Sequence, residues 1–177
     1  MTTAYNRTAV ALHWIVAALV ITAISLGWTM TDMAFSPLKL RLFNWHKWIG
    51  ATVLALMLVR AFWRLAHPAP APLPMAAWQR LSAQALHGLL YLMLLVQPLT
   101  GWIFSNAEGM QVVYLGLIPL PNLVGKDKAL GEFVKELHGA GGWVLAVAIG
   151  LHVLAAFKHH YVDRDDTLRR MLRWQSS

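Results

Sequence analysis

The sequence predicts an all-α integral membrane protein, a four-helix bundle with its N- and C-termini in the cytoplasm. Three observations carry that prediction. Of 177 residues, 58% are apolar and 13% are charged, against about 25% charged in soluble domains. The apolar residues gather in long runs suited to a bilayer core of about 30 Å. Those runs are continuous and lack the ten-residue alternation of a membrane barrel. Only helices and closed barrels satisfy every backbone group in lipid, so the runs read as helices.

The first helix is expected over about 8–31. Thr8 to Thr31 is uncharged over 24 residues, long enough to cross at about 1.5 Å per residue. It is too long for a signal-peptide core and lacks a small-x-small cleavage site. Asp32 to Phe43 reads as a loop carrying Pro37, Lys39 and Arg41. The second helix is expected over about 44–65. Its strictly uncharged part is only Trp48 to Val59, but Lys47, Arg60 and Arg64 can snorkel to the interfaces.

His67 to Pro74 holds four prolines in eight residues, a stiff extended connector. The third helix is expected over about 81–105, within 27 uncharged residues between Arg80 and Glu108. Pro98 should kink it or end it near Ile103. Ala107 to Gly131 is the longest loop. It is broken by glycine and proline yet rich in Val, Leu and Ile, so it is expected along the membrane interface. The fourth helix is expected over about 132–161. Residues 1–177 read as one transmembrane domain without internal repeats.

The net charge of +7 fits membrane topology better than a nucleic-acid partner, because the basic residues sit at helix ends and in loops. With four spans both termini share a side. That side holds Arg7, Arg60, Arg64, Arg80, Lys158, Arg164, Arg169, Arg170 and Arg173. The other holds Lys39, Arg41, Lys47, Lys126, Lys128 and Lys135. The excess of nine over six places the termini in the cytoplasm. Trp14, Trp28, Trp45, Trp48, Trp63, Trp78, Trp102 and Trp143 are expected near the interfaces. The absence of cysteine excludes disulfides, thiolate-held metals and covalent c-type haem.

Four histidines, His13, His46, His138 and His152, lie inside the apolar runs. An ionisable side chain in hydrocarbon is costly and marks a functional site. Depth pairs His13 with His152 near the cytoplasmic face, and His46 with His138 near the opposite face. His138 and His152 are about 3.9 turns and about 21 Å apart on one helix face. Four residues beyond each histidine the chain is small: Ala17, Gly50, Gly142 and Ala156. That leaves room for a flat macrocycle against the helix. The pattern points to two bis-histidine b haems, whose filled axial positions favour electron transfer. A lone membrane histidine is more simply a polar contact between helices.

His87 fails the small-neighbour test, since Tyr91 follows at the fourth position. It reads as structural, or as a hydrogen-bond partner for a quinone or a propionate. His67, His159 and His160 read as interfacial histidines or as proton donors to a quinone. Arg60 and Arg64 read as topology anchors or as partners for propionates. Lys39, Arg41 and Lys47 form a basic mouth beside His46, suited to steering a small anion.

The chain resembles the bacterial cytochrome b561 family. The motifs are L-H-W at Leu12 to Trp14, W-H-K-W-I-G at Trp45 to Gly50, L-H-G-L-L-Y-L at Leu86 to Leu92, E-L-H-G-A-G-G at Glu136 to Gly142, and I-G-L-H-V-L-A-A-F-K-H-H-Y at Ile149 to Tyr161. The resemblance implies a multi-pass cytochrome of the bacterial inner membrane, surrounded by lipid. It implies two b haems whose iron is held by His13, His46, His138 and His152, and ubiquinone as a substrate. A member of the family is a superoxide oxidase, so superoxide enters as a small anionic donor at the periplasmic site. The quinone is expected near the cytoplasmic haem, beside His87, His159, His160 and Arg64. The alternative is a cytochrome b anchor subunit passing electrons between quinone and a separate dehydrogenase. A third reading is a haem-free transporter or assembly factor with histidine relays, against which the lack of broken-helix repeats argues.

Overall fold

The computed structural model describes residues 5–71 and 73–172. Arg173 of the charge count and Pro72 of the connector lie outside the described residues. Four long helices, each apolar enough to cross a membrane, form the protein. They are α1 (Arg7–Thr31), α2 (Pro37–Ala66), α3 (Ala77–Ala107) and α4 (Lys128–Phe157). A wide π-type turn, Lys158–Val162, continues α4, and a short α5 (Arg169–Leu172) follows.

The helices start earlier than hydropathy predicts, and their caps explain where. Asn6 accepts from Ala9 N at 2.8 Å and starts α1. Ser36 accepts from Lys39 N at 3.2 Å, with Pro37 in the first turn. The stretch expected as loop from Asp32 to Phe43 is therefore mostly the first two turns of α2. Lys39 and Arg41 sit on a helix end, where charge is cheap and hydropathy hides the helix. Likewise Asp127 caps α4 by accepting from Leu130 N at 3.1 Å, and the helix starts at Lys128, four residues before the expected start. In α3, Gln79 Oε1 takes the free N–H of Ala76 at 3.2 Å.

Pro98 does not end α3, which runs on to Ala107. Its end is set by Gly109 at φ +80°, in the left-handed conformation that helix termini favour. The following segment holds a two-stranded ribbon, β1 (Val113–Tyr114) and β2 (Ile118–Pro119). Leu115 and Gly116 turn it with φ of 53° and 73°, the mirror-image turn that matches strand twist. The ribbon is pinned to α2. Trp48 Nε1 donates to Val113 O at 2.7 Å, and the Thr52 and Tyr114 hydroxyls lie 3.0 Å apart.

The backbones of α1 and α2, α2 and α3, and α3 and α4 run close together. Side chains of α4 meet those of α1 and α2 as paired rings. The buried core is Val16 and Val20 of α1, Val53 and Met57 of α2, Leu90 of α3, and Leu145 and Ala148 of α4. On α1, α2 and α4 these residues lie between the polar side chains of the two ends, so an apolar plug separates two polar levels. The outer surface stays apolar, with Val147, Leu151 and Leu154 all exposed, as a lipid-facing helix requires. Trp143, expected at an interface, is midway along α4 and stacks on Trp28 with ring centres 4.6 Å apart.

Candidate functional site

The polar side chains of the bundle interior fall into two groups, one on each side of the apolar plug. In the group away from the termini, His46 of α2 and His138 of α4 face each other. Their ring centres are 6.0 Å apart and their planes 85° from parallel. Both rings are oriented by acceptors. His46 Nδ1 lies 2.9 Å from Ala23 O. His138 Nδ1 lies 3.1 Å from Gln97 O and 3.0 Å from Thr100 Oγ1. The Thr100 hydroxyl donates to Gln97 O at 2.8 Å, so it receives from the imidazole. A carbonyl can only accept, so each ring carries its proton on Nδ1 and offers the Nε2 lone pair. This is the tautomer of a histidine that binds metal through Nε2.

Glycines make the arrangement possible. A side chain at Gly27 would come 3.3 Å from His46 Cε1, and one at Gly101 would come 3.0 Å from His138 Cε1. Each imidazole thus backs onto a bare stretch of a neighbouring helix. Beside the rings is a cavity lined by Gly27, Gly50, Val53, Pro98, Gly139 and Gly142, among others. A Cβ at Gly50 or Gly139 would meet nothing within 4 Å and would project into open space.

The group nearer the termini holds His13 of α1, His152 of α4 and His87 of α3. His13 and His152 have ring centres 6.2 Å apart at 66°. His87 lies 5.2 Å from His152 at 67°. His87, expected at this level as a structural residue or as a partner for a quinone or a propionate, packs directly against His152. Arg60 of α2 also enters this group. Its NH2 donates to His13 Nδ1 at 3.1 Å and its Nε donates to the Tyr91 hydroxyl at 3.2 Å.

The remaining expected residues divide. Arg64 lies over the Tyr5 ring at 5.5 Å. His67 stacks on Trp63. His159, in the π-type turn, approaches Asp165 Oδ2 at 2.7 Å and Asp163 Oδ2 at 3.1 Å, while Lys158 Nζ pairs with Asp163 at 2.7 Å. Burial pulls the Asp165 carboxyl upward, but hydrogen bonds from Thr167 and His159 outweigh it and hold the group below its ordinary 3.8. His160 Nδ1 is buried without a hydrogen-bond partner. In the basic mouth, Lys39 donates to Met33 O at 2.6 Å, so its ammonium serves the end of α1.

The His46/His138 pair fits a metal-centred group in both spacing and tautomer. The His13/His152 pair matches it in spacing, and there Nδ1 of His13, which Arg60 holds, would have to take the ring proton for Nε2 to bind. An imidazole nitrogen binds a first-row metal at about 2 Å, so two trans imidazoles on one metal have ring centres about 6 Å apart. At the His46/His138 pair, neutral nitrogen donors, glycine walls and an apolar surround suit a flat metallated macrocycle. Sequence reasoning missed Gly27, Gly101, Gln97, Thr100 and the Ala23 carbonyl. The available signal was polar Gln97 and Thr100 in an apolar run; a backbone carbonyl leaves none.

A four-helix membrane bundle of this design is a transmembrane b-type cytochrome. The chain belongs to the prokaryotic cytochrome b561 family, whose model matches residues 4–174. It is 33% identical over 175 residues to cytochrome b561 homolog 2 of Escherichia coli K12, covering 98% of this chain and 93% of that one. It is 30% identical over 174 residues to a protein of Yersinia pestis named probable superoxide oxidase CybB, covering 95% of each. Cytochrome b561 homolog 1 of Escherichia coli K12 is also 30% identical, over 95% of this chain and 96% of that one. Membership carries haem b binding, electron transport and a bacterial membrane.

Proposed function

We propose that this protein carries electrons across the bacterial inner membrane between two b haems, oxidising superoxide on the periplasmic side and reducing ubiquinone on the cytoplasmic side. The observation that carries the reading is the two pairs of facing imidazoles, at 6.0 and 6.2 Å, one pair on each side of an apolar core. His46 and His138 would hold one haem, and His13 and His152 the other. The positive-inside excess supports cytoplasmic termini, with the His13/His152 site toward the cytoplasmic side of the membrane.

When bound, each haem supplies a reversible one-electron couple. The chain does the rest. Ala23 O, Gln97 O and Thr100 fix the far-side imidazoles with Nε2 inward. Gly50, Gly139 and Gly142 leave the space a porphyrin face needs. Val16, Val53, Met57 and Leu145 keep water from the region between the sites. Arg41 and Lys47 draw an anionic donor to the far face. The Yersinia relative's name, at 30% identity, supports superoxide as that donor.

The stoichiometry is simple. Two superoxide ions each give up one electron and leave as dioxygen. One ubiquinone takes both electrons and two protons to form the quinol. The protons come from the cytoplasmic side, where His159 and His160 stand in the turn after α4. Asp165 and Asp163 hold the His159 ring in place, and His87 and Arg64 complete the proposed quinone surround.

The test is reduction of a soluble ubiquinone analogue by the purified protein, with superoxide supplied enzymatically. Quinol formation that stops on adding superoxide dismutase supports the proposal. A protein that reduces quinone only with a co-purifying dehydrogenase is an anchor subunit instead.

A further inference from the structure

The two histidine pairs differ in what stands behind their rings. His46 and His138 turn Nδ1 toward neutral acceptors, Ala23 O and Gln97 O. A ring that donates to a carbonyl becomes more electron-rich, and a metal bound to it holds its oxidised, more positive form better. His13 Nδ1 instead faces a guanidinium, Arg60 NH2, at 3.1 Å. Arg60 is permanently charged. It is half-buried and tethered by Tyr91, whose hydroxyl takes its Nε and whose ring lies 5.7 Å from Cζ. Among the described residues no carboxylate lies within ion-pair distance of Arg60. An uncompensated positive charge beside a redox centre favours the reduced form, and charge counts for more where water is excluded.

We propose that Arg60 sets the direction of electron flow, by raising the reduction potential of the His13/His152 site above that of the His46/His138 site. The inference rests on the two-haem reading. To bind through Nε2 the His13 ring must carry its proton on Nδ1, so the guanidinium moves off that nitrogen; tethered by Tyr91, it keeps its charge at the same site. Lys47 lies near His46 and acts in the opposite sense, but it makes no hydrogen bond to either far-side ring. Arg60 does touch its ring, so the termini-side site has the larger effect. An electron shared between the sites then rests at His13/His152, the end where quinone is reduced. Arg60 is here a positioning and tuning residue, with no part in substrate contact.

The test is potentiometry of the purified holoprotein, followed optically, with haem counted per chain beforehand. The expected result is two components differing at least tenfold in electron-transfer equilibrium, about 59 mV for one electron. His46→Ala should remove the lower component. Arg60→Gln should bring the upper component down by at least that amount and leave the lower one in place. Arg60→Lys, which keeps the charge, should stay near wild type. The inference is overturned if His46→Ala removes the upper component, if Arg60→Gln moves neither component or both equally, or if Arg60→Lys shifts as far as Arg60→Gln. Should Arg60→Gln lose a haem, Arg60→Met, which keeps the apolar stem without the charge, takes its place, with the same expected drop of the upper component and the same overturning result. A protein with no haem, or one per chain, fails the two-haem reading itself, which is a different result from two haems in the wrong order.

Discussion

His46 and His138, carried on α2 and α4, hold their imidazoles 6.0 Å apart with each Nδ1 tied to an acceptor on α1 or α3. All four helices therefore contribute to one site. His46→Ala should lower the haem content from about two per chain to about one, and His13→Ala should do the same at the other pair. The spectra of the two variants should differ and together account for the wild type. Loss of both haems in both variants would mean that the pairs are not independent.

Gly101 tests the close approach behind His138. A Cβ there would sit 3.0 Å from His138 Cε1, so Gly101→Ala must push the ring or the helix. The expected cost is about 1–3 kcal/mol, seen as a lower melting temperature and weakened haem retention at the far-side site alone.

Gly50 gives the opposite signature. Nothing lies within 4 Å of a Cβ built there, and the residue lines the cavity beside His46. Gly50→Leu should leave the apoprotein's melting temperature unchanged or higher. Far-side haem affinity should fall by about tenfold or more, since filling that space costs about 1–3 kcal/mol. A parallel loss of fold stability would mean that the space belongs to helix packing.

Thr100→Val removes one of two acceptors for His138 Nδ1 while keeping the shape. Gln97 O remains at 3.1 Å, so the effect should fall near the low end of the 10–100-fold range for residues behind a metal ligand. Haem dissociation kinetics measure it.

The turn after α4 has its own pH dependence. Asp165 is held below its ordinary 3.8 in the fold, so the folded carboxylate binds protons more weakly than the unfolded one. Its stabilisation is complete above the unfolded value and is lost as pH falls through the lower, folded one. Hydrogen exchange of residues 158–167 should rise below about pH 4 in wild type. Asp165→Asn should show the raised exchange already at neutral pH.

Much of this architecture was legible because hydropathy and depth are one-dimensional. Four apolar runs gave four helices, and histidine positions along them gave two levels. What hydropathy missed was capped rather than apolar. Ser36 with Pro37, and Asp127, start helices inside charged stretches. The far end of α3, expected at about 105, falls at Ala107. The partners behind the rings were invisible for a physical reason. Ala23 O and Gln97 O are backbone atoms whose position depends on how helices rotate against each other. Gly27 and Gly101 matter only because another helix's ring arrives there. Depth along the helices already set His87 and Arg60 at the His13/His152 level; what it does not encode is the lateral packing that brings His87 against His152 and Arg60 onto His13.

The most direct test of the central claim is the haem content and optical spectrum of the protein purified in mild detergent. The account predicts about two b haems per chain with the sharp reduced bands of six-coordinate, low-spin iron. A colourless protein, or a single high-spin haem, would contradict it and leave the paired histidines as contacts between helices.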